Sequence, residues 1–411
     1  MAGASPLHED EQRLPRPLLA LLFAVTFMTA VGNLGLVSVM PAIGRALAIP
    51  DALIAMTFSL SALAWALTSP LWARRSDRQG RKPMLLLGLG GFCISMGGCG
   101  LVVLAGLHAL APPLAIFAVF MLVRSSYGLF GSAAATAAQA LVADRSGGAA
   151  RVQAMSAMAG ALSLGTIAGP AIAPFFIIAP LGLAGPPLIF ALAGLVLIGG
   201  VLALLPRDRP LATATVAAGT SLWRDPVVRP LLVQGMVIAS AQAINIYTLG
   251  FAIIDHGGHG LATAQWWIGV TMSLGAASGL AAQLGLVALA RPSPRAMLHG
   301  GAAIVLAGNI VAGLPAGLPT LVAGFAIASF GYGLARPGFS AAASLAVGPE
   351  RQGAVAGAVS AIAGASIAVP PVIAILLYQR WWTAPFVLAA AGAAWVVLAG
   401  WRRRRLFLHA D

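Results

Sequence analysis

The sequence has few charged residues for its length. Of its 411 residues, 9% are charged and 59% are hydrophobic, whereas a soluble domain carries about 25% charged residues. Apolar stretches long enough to cross a bilayer as a helix recur along the whole chain. They are too long and continuous for barrel strands. The composition therefore excludes a soluble protein and predicts an all-α membrane protein.

Sequence motifs that carry catalysis are also missing. The chain has no H-E-x-x-H, no G-x-S-x-G and no phosphate-binding Walker loop. These absences argue against a membrane enzyme and against an ATP-driven pump, and no cofactor is expected. They favour a secondary transporter, with a non-transporting receptor or a membrane enzyme as the less favoured alternatives.

Potential metal ligands are scarce. The two cysteines, Cys93 and Cys99, fall in one predicted span on different helix faces, which indicates neither a disulfide nor a metal site. His256 and His259 are close in sequence, but their glycine-rich loop has no supporting carboxylate. No metal site is therefore predicted.

Twelve transmembrane helices are predicted from the hydrophobic runs. Their bounds are 18–43, 52–73, 84–106, 112–140, 152–179, 186–205, 229–253, 263–290, 296–314, 317–341, 352–378 and 384–401. With the N-terminus in the cytoplasm, only Arg45 and Arg380 of the 24 Lys and Arg residues fall in external loops. Arg124 lies mid-span, and the other 21 lie in or beside cytoplasmic segments. This asymmetry follows the positive-inside rule and predicts that both termini are cytoplasmic.

The net charge of +13 follows the same asymmetry, so no nucleic-acid partner is predicted. The basic stretch WRRRRLF at 401–407 is interpreted as a topology signal or a contact with anionic lipid. The first apolar run is too long for a signal peptide and is interpreted as a retained helix. The expected location is the inner (cytoplasmic) membrane, where the chain contacts the lipid bilayer as a monomer.

The chain contains an internal repeat. ALVADRSGGAARVQAMSAMAG (140–160) matches SLAVGPERQGAVAGAVSAIAG (344–364) at an offset of 204 residues, about half the chain. Parallel repeats of this kind indicate two pseudo-symmetric six-helix bundles. The predicted domains are a tail at 1–17, a bundle at 18–205, a cytoplasmic linker at 206–228, a bundle at 229–401 and a basic tail at 402–411.

The loop between the second and third predicted spans, ARRSDRQGRKPM (73–84), has six charges between Arg74 and Lys82. It resembles the signature loop of the major facilitator superfamily, G-x-L-a-D-r-x-G-r-k-x-x-l. The positions in register are Asp77, Arg78, Gly80, Arg81, Lys82 and Leu85. Ala73 and Arg75 replace the first glycine and the leucine of the pattern. The glycine is expected to supply a tight turn, because it is free to take a positive φ.

Three further stretches resemble motifs of the same superfamily. RSSYGLFG (124–131) resembles its fourth-helix motif, with Tyr127 where glutamine is usual. LVSVMPAI (36–43) and GTIAGPAIAP (165–174) resemble first-helix and fifth-helix motifs of its drug and metabolite exporters. The fifth-helix positions in register are Gly165, Gly169 and Pro170. The resemblance implies the twelve-helix fold of that exporter subgroup.

The resemblance also implies a conformational latch in the charged loop. Asp77 is expected near the positive end of the eleventh helix, at Gln352 and Gly353, and Arg81 is expected to pair with Asp144. Such a cluster would hold the two halves together on the cytoplasmic side and break when the cavity opens inward. The alternative is that the loop only sets topology and solubility.

Arg124 is the charged residue closest to the middle of a predicted span. Because intramembrane charge is costly and marks solute paths, it is expected to face a central substrate cavity. The alternative is a structural role, in which it pairs with helix carbonyls or polar side chains. The other residues expected around this cavity are Asn33, Gln234, Gln242 and Asn245. Each of these amides has the alternative role of a helix–helix hydrogen bond.

No acidic residue occupies the centre of a predicted span. Family exporters of lipophilic cations commonly hold a buried carboxylate that exchanges a proton for the substrate, and here that position is vacant. The sequence therefore favours efflux of small amphipathic, neutral or anionic organic compounds, with uptake of a nutrient organic anion as the alternative. Proton coupling would have to use Asp77, Asp144, His299 or an acid on the substrate itself.

Overall fold

A computed structural model describes residues 14–206, 222–258, 260–287, 292–315, 317–348 and 351–408. The described residues are predominantly helical and include no strand. Twelve of the helical segments are long and apolar enough to cross a membrane. The prediction of an all-α membrane protein with twelve spans is confirmed. Five features predicted above lie wholly or partly outside the described residues: tail residues 1–13, linker residues 207–221, residues 288–290 of the eighth predicted span, His259, and residues 409–411 of the basic tail.

The first six spans are formed by six α-helices. These are α1 (Arg16–Ala46), α2 (Asp51–Gln79), α3 (Arg81–Leu107), α4 (Pro113–Arg145), α5 (Gly148–Ile172) and α6 (Gly185–Leu204). A 3₁₀ turn at Ala173–Phe176 continues α5. One residue, Gly80, separates α2 from α3, and its φ of 94° is the predicted positive value. A side chain at that position would strain the backbone.

The remaining spans are formed by seven α-helices. These are α7 (Val228–His256), α8 (Leu261–Ala281), α9 (Pro294–Ala312), α10 (Leu318–Leu345), α11 (Gln352–Ala368), α12 (Pro370–Tyr378) and α13 (Ala384–Leu408). A π-helical segment at Ala282–Val287 continues α8. The eleventh crossing is divided into α11 and α12 at Val369. Pro370 and Pro371 follow that residue, and proline has no N–H to continue the helical hydrogen bonds.

The described residues form two compact units. One contains residues 14–36, 46–48 and 63–206, and the other contains residues 37–45, 49–62 and the described part of 222–408. The end of α1 and the beginning of α2 thus pack with helices of the second half of the chain. The bundle bounds at 18–205 and 229–401, which follow the sequence repeat, stay predictions.

Candidate functional site

Arg124 lies in α4, inside the first unit, with 1% of its surface exposed. Its guanidinium donates to the side-chain oxygen of Asn33 on α1 and, at 3.4 Å, to Ser95 Oγ on α3. The guanidinium carbon also lies 5.1 Å from the centroid of the Tyr127 ring. Tyr127 is one turn along the same helix, where side chains three residues apart share a face. The charge is therefore held between three helices, and its expected place in a substrate cavity stays a prediction.

Two of the predicted amides on α7 make contacts between helices. Gln234 is buried, and its side-chain oxygen lies 3.1 Å from His299 Nε2 on α9. Asn245 is also buried, and its Nδ2 donates to the hydroxyl of Tyr332 on α10 at 3.1 Å. Both contacts have the geometry of helix–helix hydrogen bonds, which is the common role of amides in membranes.

The third amide on α7 contacts a cation that sequence reasoning missed. Gln242 is half-buried, and its side-chain oxygen accepts a hydrogen bond of 3.0 Å from Arg336 Nη1 on α10. The side chain of Arg336 is exposed although the residue lies within a candidate span. Arg336 is one of the 21 basic residues predicted to lie in or beside cytoplasmic segments, although it lies five residues before the predicted span end at 341. That distance, more than one helical turn inside the span, is the signal that could have identified it.

The charged loop is organised around Arg81, which is buried at the beginning of α3. Its Nη1 donates to Asp77 Oδ1 at 2.6 Å and to Ser76 Oγ at 3.0 Å, and its Nε donates to Asp144 Oδ2 at 2.9 Å. One guanidinium thus joins α2, α3 and the end of α4. The further contact of Asp77 with the beginning of the eleventh span stays a prediction, as does the latch itself.

Two other members of the predicted latch have different surroundings. Lys82 Nζ donates to the backbone oxygens of Leu202 and Leu205 at the end of α6, the former at 3.0 Å. The last carbonyls of a helix have no intrahelical partners and attract a cation. Arg78 is exposed at the end of α2.

The fifth-helix motif forms a close contact with α1. A Cβ added to Gly165 would lie 2.5 Å from the backbone oxygen of Phe27, and one added to Gly169 would lie 2.4 Å from that of Val31. Neither approach leaves room for a side chain. Pro170 follows Gly169 inside α5, two residues before the helix ends. The motif therefore permits two helix backbones to touch.

A cluster of charges in the second unit was not predicted from the sequence. Arg45 Nη2, at the end of α1, donates to Asp51 Oδ2 at 3.1 Å and to Asp255 Oδ2 at 2.8 Å. The hydroxyl of Tyr378 also donates to Asp255 Oδ2, at 2.9 Å. Two carboxylates therefore share one guanidinium. Among the described residues there is no group of three or more His, Cys, Asp or Glu that could hold a metal ion.

Comparison with known proteins places the chain in a family. A sequence profile of the Major Facilitator Superfamily matches residues 22–308. The chain belongs to the Major Facilitator Superfamily. An MFS-type transporter from Cochliobolus lunatus, clz4, is 26% identical over 254 residues, which cover 60% of this chain. The match spans 43% of the length of that curated relative.

Solved structures share the fold of this superfamily member. A bacterial homologue of the human lysosomal transporter Spinster matches with a TM-score of 0.69 and 14% identity, covering 97% of this chain and 98% of that chain. The human organic anion transporter MFSD10 (TETRAN) matches with a TM-score of 0.64 and 19% identity, covering 94% of this chain and 99% of that chain. At these identities the similarity shows the fold. The predicted fold and family are confirmed.

Proposed function

We propose that the protein is a secondary active transporter that works by alternating access and exports small amphipathic organic compounds of neutral or anionic character. Membership of a transporter superfamily and the twelve spans support transport. The substrate is carried unchanged, and no catalytic step is part of the proposal. The proposed transporter is a monomer in the inner membrane. Both of its termini lie in the cytoplasm, an orientation that the distribution of Lys and Arg favours.

The distribution of charge in the membrane carries the proposal for the substrate. The described acidic residues all lie at helix ends or in the chain just before a helix. They are Asp51, Asp77, Asp144, Asp225 and Asp255. By contrast, Arg124 is a buried cation within α4. At an effective dielectric constant of about 20, a unit charge about 6 Å away interacts with it by roughly 3 kcal/mol, and water in an open cavity reduces this. The positive charge of Arg124 repels cations and attracts anions.

The direction and the coupling of transport rest on other residues. Export is supported by the fifth-helix motif of the exporter subgroup, in which Gly165 and Gly169 allow contact with α1. Protons are the proposed coupling ion. With no acid at a span centre, they would use Asp77, Asp144, His299 or an acid on the substrate.

The test is competition in proteoliposomes between an organic anion and a lipophilic monocation of similar size. We expect the anion to be transported unchanged and the monocation to compete poorly. Robust transport of the monocation with no transport of the anion would contradict the proposed substrate class.

Uptake of a nutrient organic anion is the second candidate, because the same intramembrane cation would attract such a substrate. The two directions can be separated with a deletion strain grown with and without a protonophore. Export predicts that the substrate accumulates in the deletion strain, whereas uptake predicts that the strain no longer acquires it.

A further inference from the structure

An exposed cation lies inside the tenth span. Arg336 is nine residues before the end of α10 at Leu345, which corresponds to about 13 Å along the helix axis. Its side chain is nevertheless exposed. An exposed guanidinium at this depth would be costly against acyl chains, which favours a position that faces water. The other cation placed within a span, Arg124, is by contrast almost fully buried.

The contacts of Arg336 leave most of its donors available. A guanidinium carries five N–H donors in a rigid fork. Within the described part of the chain, the hydrogen-bonding partner of Arg336 is Gln242, through Nη1, and no carboxylate pairs with it. Arg45, Arg81 and Arg351 differ in this respect, because each forms an ion pair with one or more aspartates.

The helices on either side hold Arg336 and Gln242 in register. Tyr332 lies one turn before Arg336 on α10, and Asn245 lies three residues after Gln242 on α7. These two residues are buried and joined by a hydrogen bond of 3.1 Å. The seam between α7 and α10 thus has a buried polar pair and, one turn along, a hydrogen-bonded pair in which Arg336 is exposed and Gln242 is half-buried. The buried pair fixes the position of the exposed one, which reduces the cost of ordering it when a ligand binds.

We propose that Arg336, oriented by Gln242, binds the carboxylate of the transported substrate. The inference rests on the proposed function and names the site that would recognise the anion. A carboxylate matches the planar fork of arginine with two parallel hydrogen bonds. No described carboxylate pairs with Arg336, so the single positive charge suits a monoanion better than a phosphate dianion. The NH₂ group of Gln242 supplies a further donor for the same ligand.

The experiment compares a carboxylate with its neutral amide on full-length protein. The probes are 4-phenylbutyrate and 4-phenylbutanamide, which share an apolar body. Binding is measured by the rise in thermal unfolding temperature with probe concentration, since a ligand of the folded state stabilises it. We expect the wild-type protein to bind the carboxylate more tightly than the amide. Arg336→Gln should weaken carboxylate binding by about tenfold or more and leave amide binding unchanged.

Two further variants complete the design. Arg336→Lys keeps the charge without the fork, so its carboxylate affinity should be intermediate, and it replaces Arg336→Gln if that variant does not fold. Arg16→Gln is the matched control, because it removes an exposed arginine at the beginning of α1. It should leave both affinities at wild-type values. Equal carboxylate affinity in Arg336→Gln and wild type would overturn the site. An equal loss of affinity for the carboxylate and the amide in Arg336→Gln would also overturn it.

Flux in proteoliposomes separates failure of the site from failure of the proposed function. Wild-type flux of 4-phenylbutyrate that is unchanged by Arg336→Gln overturns the site and leaves anion transport standing. A wild-type protein that neither binds nor transports the carboxylate while it transports a lipophilic cation overturns both.

Discussion

Arg124 and Arg336 have the same side chain and different surroundings. Arg124 is buried against Asn33, Ser95 and Tyr127, whereas Arg336 is exposed and bonds Gln242. The free energy of unfolding should therefore depend on the first arginine far more than on the second. A hydrogen bond to a charged group contributes roughly 1.5–3 kcal/mol to stability.

Arg124→Ala is expected to lower the free energy of unfolding by about 2 kcal/mol or more, because it leaves Asn33 and Ser95 without their cationic partner. Arg336→Ala is the matched control and should be close to wild type in stability. Thermal unfolding of the purified variants in detergent measures the difference. Equal unfolding temperatures for Arg124→Ala and wild type would show that its contacts contribute little to the fold.

Substitutions of Arg124 also test its part in transport. Arg124→Ala should abolish flux in protein that is still inserted, because it removes the buried positive charge, and Arg124→Lys should retain part of it. Normal flux in a well-folded Arg124→Ala protein would place this arginine in the structural role alone.

At the scale of helices, α5 and α1 are in contact because two glycines leave room for it. We expect Gly169→Ala to lower the unfolding temperature and the yield of folded protein, because the new Cβ would lie 2.4 Å from the backbone oxygen of Val31. Gly160→Ala on the same helix is the control, since a Cβ there meets nothing within 4 Å. Alanine also favours a helix over glycine by about 1 kcal/mol, so this control should be unchanged or slightly more stable. Equal effects of the two substitutions would contradict close packing at the motif.

The beginning of α7 is capped by Asp225. One side-chain oxygen accepts hydrogen bonds from the backbone N–H groups of Val227 and Val228, and the other lies 2.8 Å from Arg351 Nη1. The bond from Arg351 and then the two backbone bonds hold the pKa of Asp225 below its usual value. A lowered pKa in the folded state means that the stabilisation is complete above the unfolded pKa of about 3.9. It is lost as the pH falls through the folded value.

Asp225→Asn should therefore be less stable than wild type by an amount that is constant between about pH 7 and pH 5 and shrinks only below about pH 4. Asp225→Ala should be the less stable of the two variants, because asparagine still accepts from the helix N–H groups. Thermal unfolding across this pH range measures both effects. If the stability difference between Asp225→Asn and wild type changed with a midpoint near pH 6, the titrating group would be a histidine instead.

The sequence predicted the helices better than it predicted their contacts. Hydrophobic runs locate the spans because each must be about one bilayer long, and Gly80 was recognisable because the turn needs a positive φ. Arg336 was missed because hydropathy places a residue along a span and does not show which side faces water. The bond between Asn245 and Tyr332 joins residues 87 positions apart, and nothing local to either residue indicates it.

At the scale of the whole molecule, the charged loop offers a test of alternating access. Asp77→Asn keeps a side-chain oxygen for Arg81 and removes the charge. If the loop is a latch, turnover should slow several-fold while substrate affinity changes little, because the latch biases conformations without touching the solute. Flux and binding assays on the same preparation separate the two quantities.

Cysteine labelling can measure the populations of the inward-facing and outward-facing conformations in Asp77→Asn. Both native cysteines are buried and form no disulfide, so they should be labelled slowly. Labelling of engineered cysteines on the two predicted faces of the protein should therefore be measurable above that background. We expect Asp77→Asn to shift their relative reactivity. If reactivity at both faces matches that of wild type, Asp77 sets topology only.

The hairpin formed by the end of α1 and the beginning of α2 has its packing partners late in the chain. The ring of Pro41 occupies the space of a side chain at Gly250, where an added Cβ would lie 2.6 Å from Pro41 Cγ. Phe58 packs edge-on against Tyr247, with ring centroids 5.3 Å apart. In a genetic screen, second-site suppressors of a harmful Gly250→Ala change should therefore map more than 200 codons upstream, at Pro41 and its neighbours. Within this hairpin, compensating substitutions should follow contact in space and cross the boundary that the internal repeat draws through the gene.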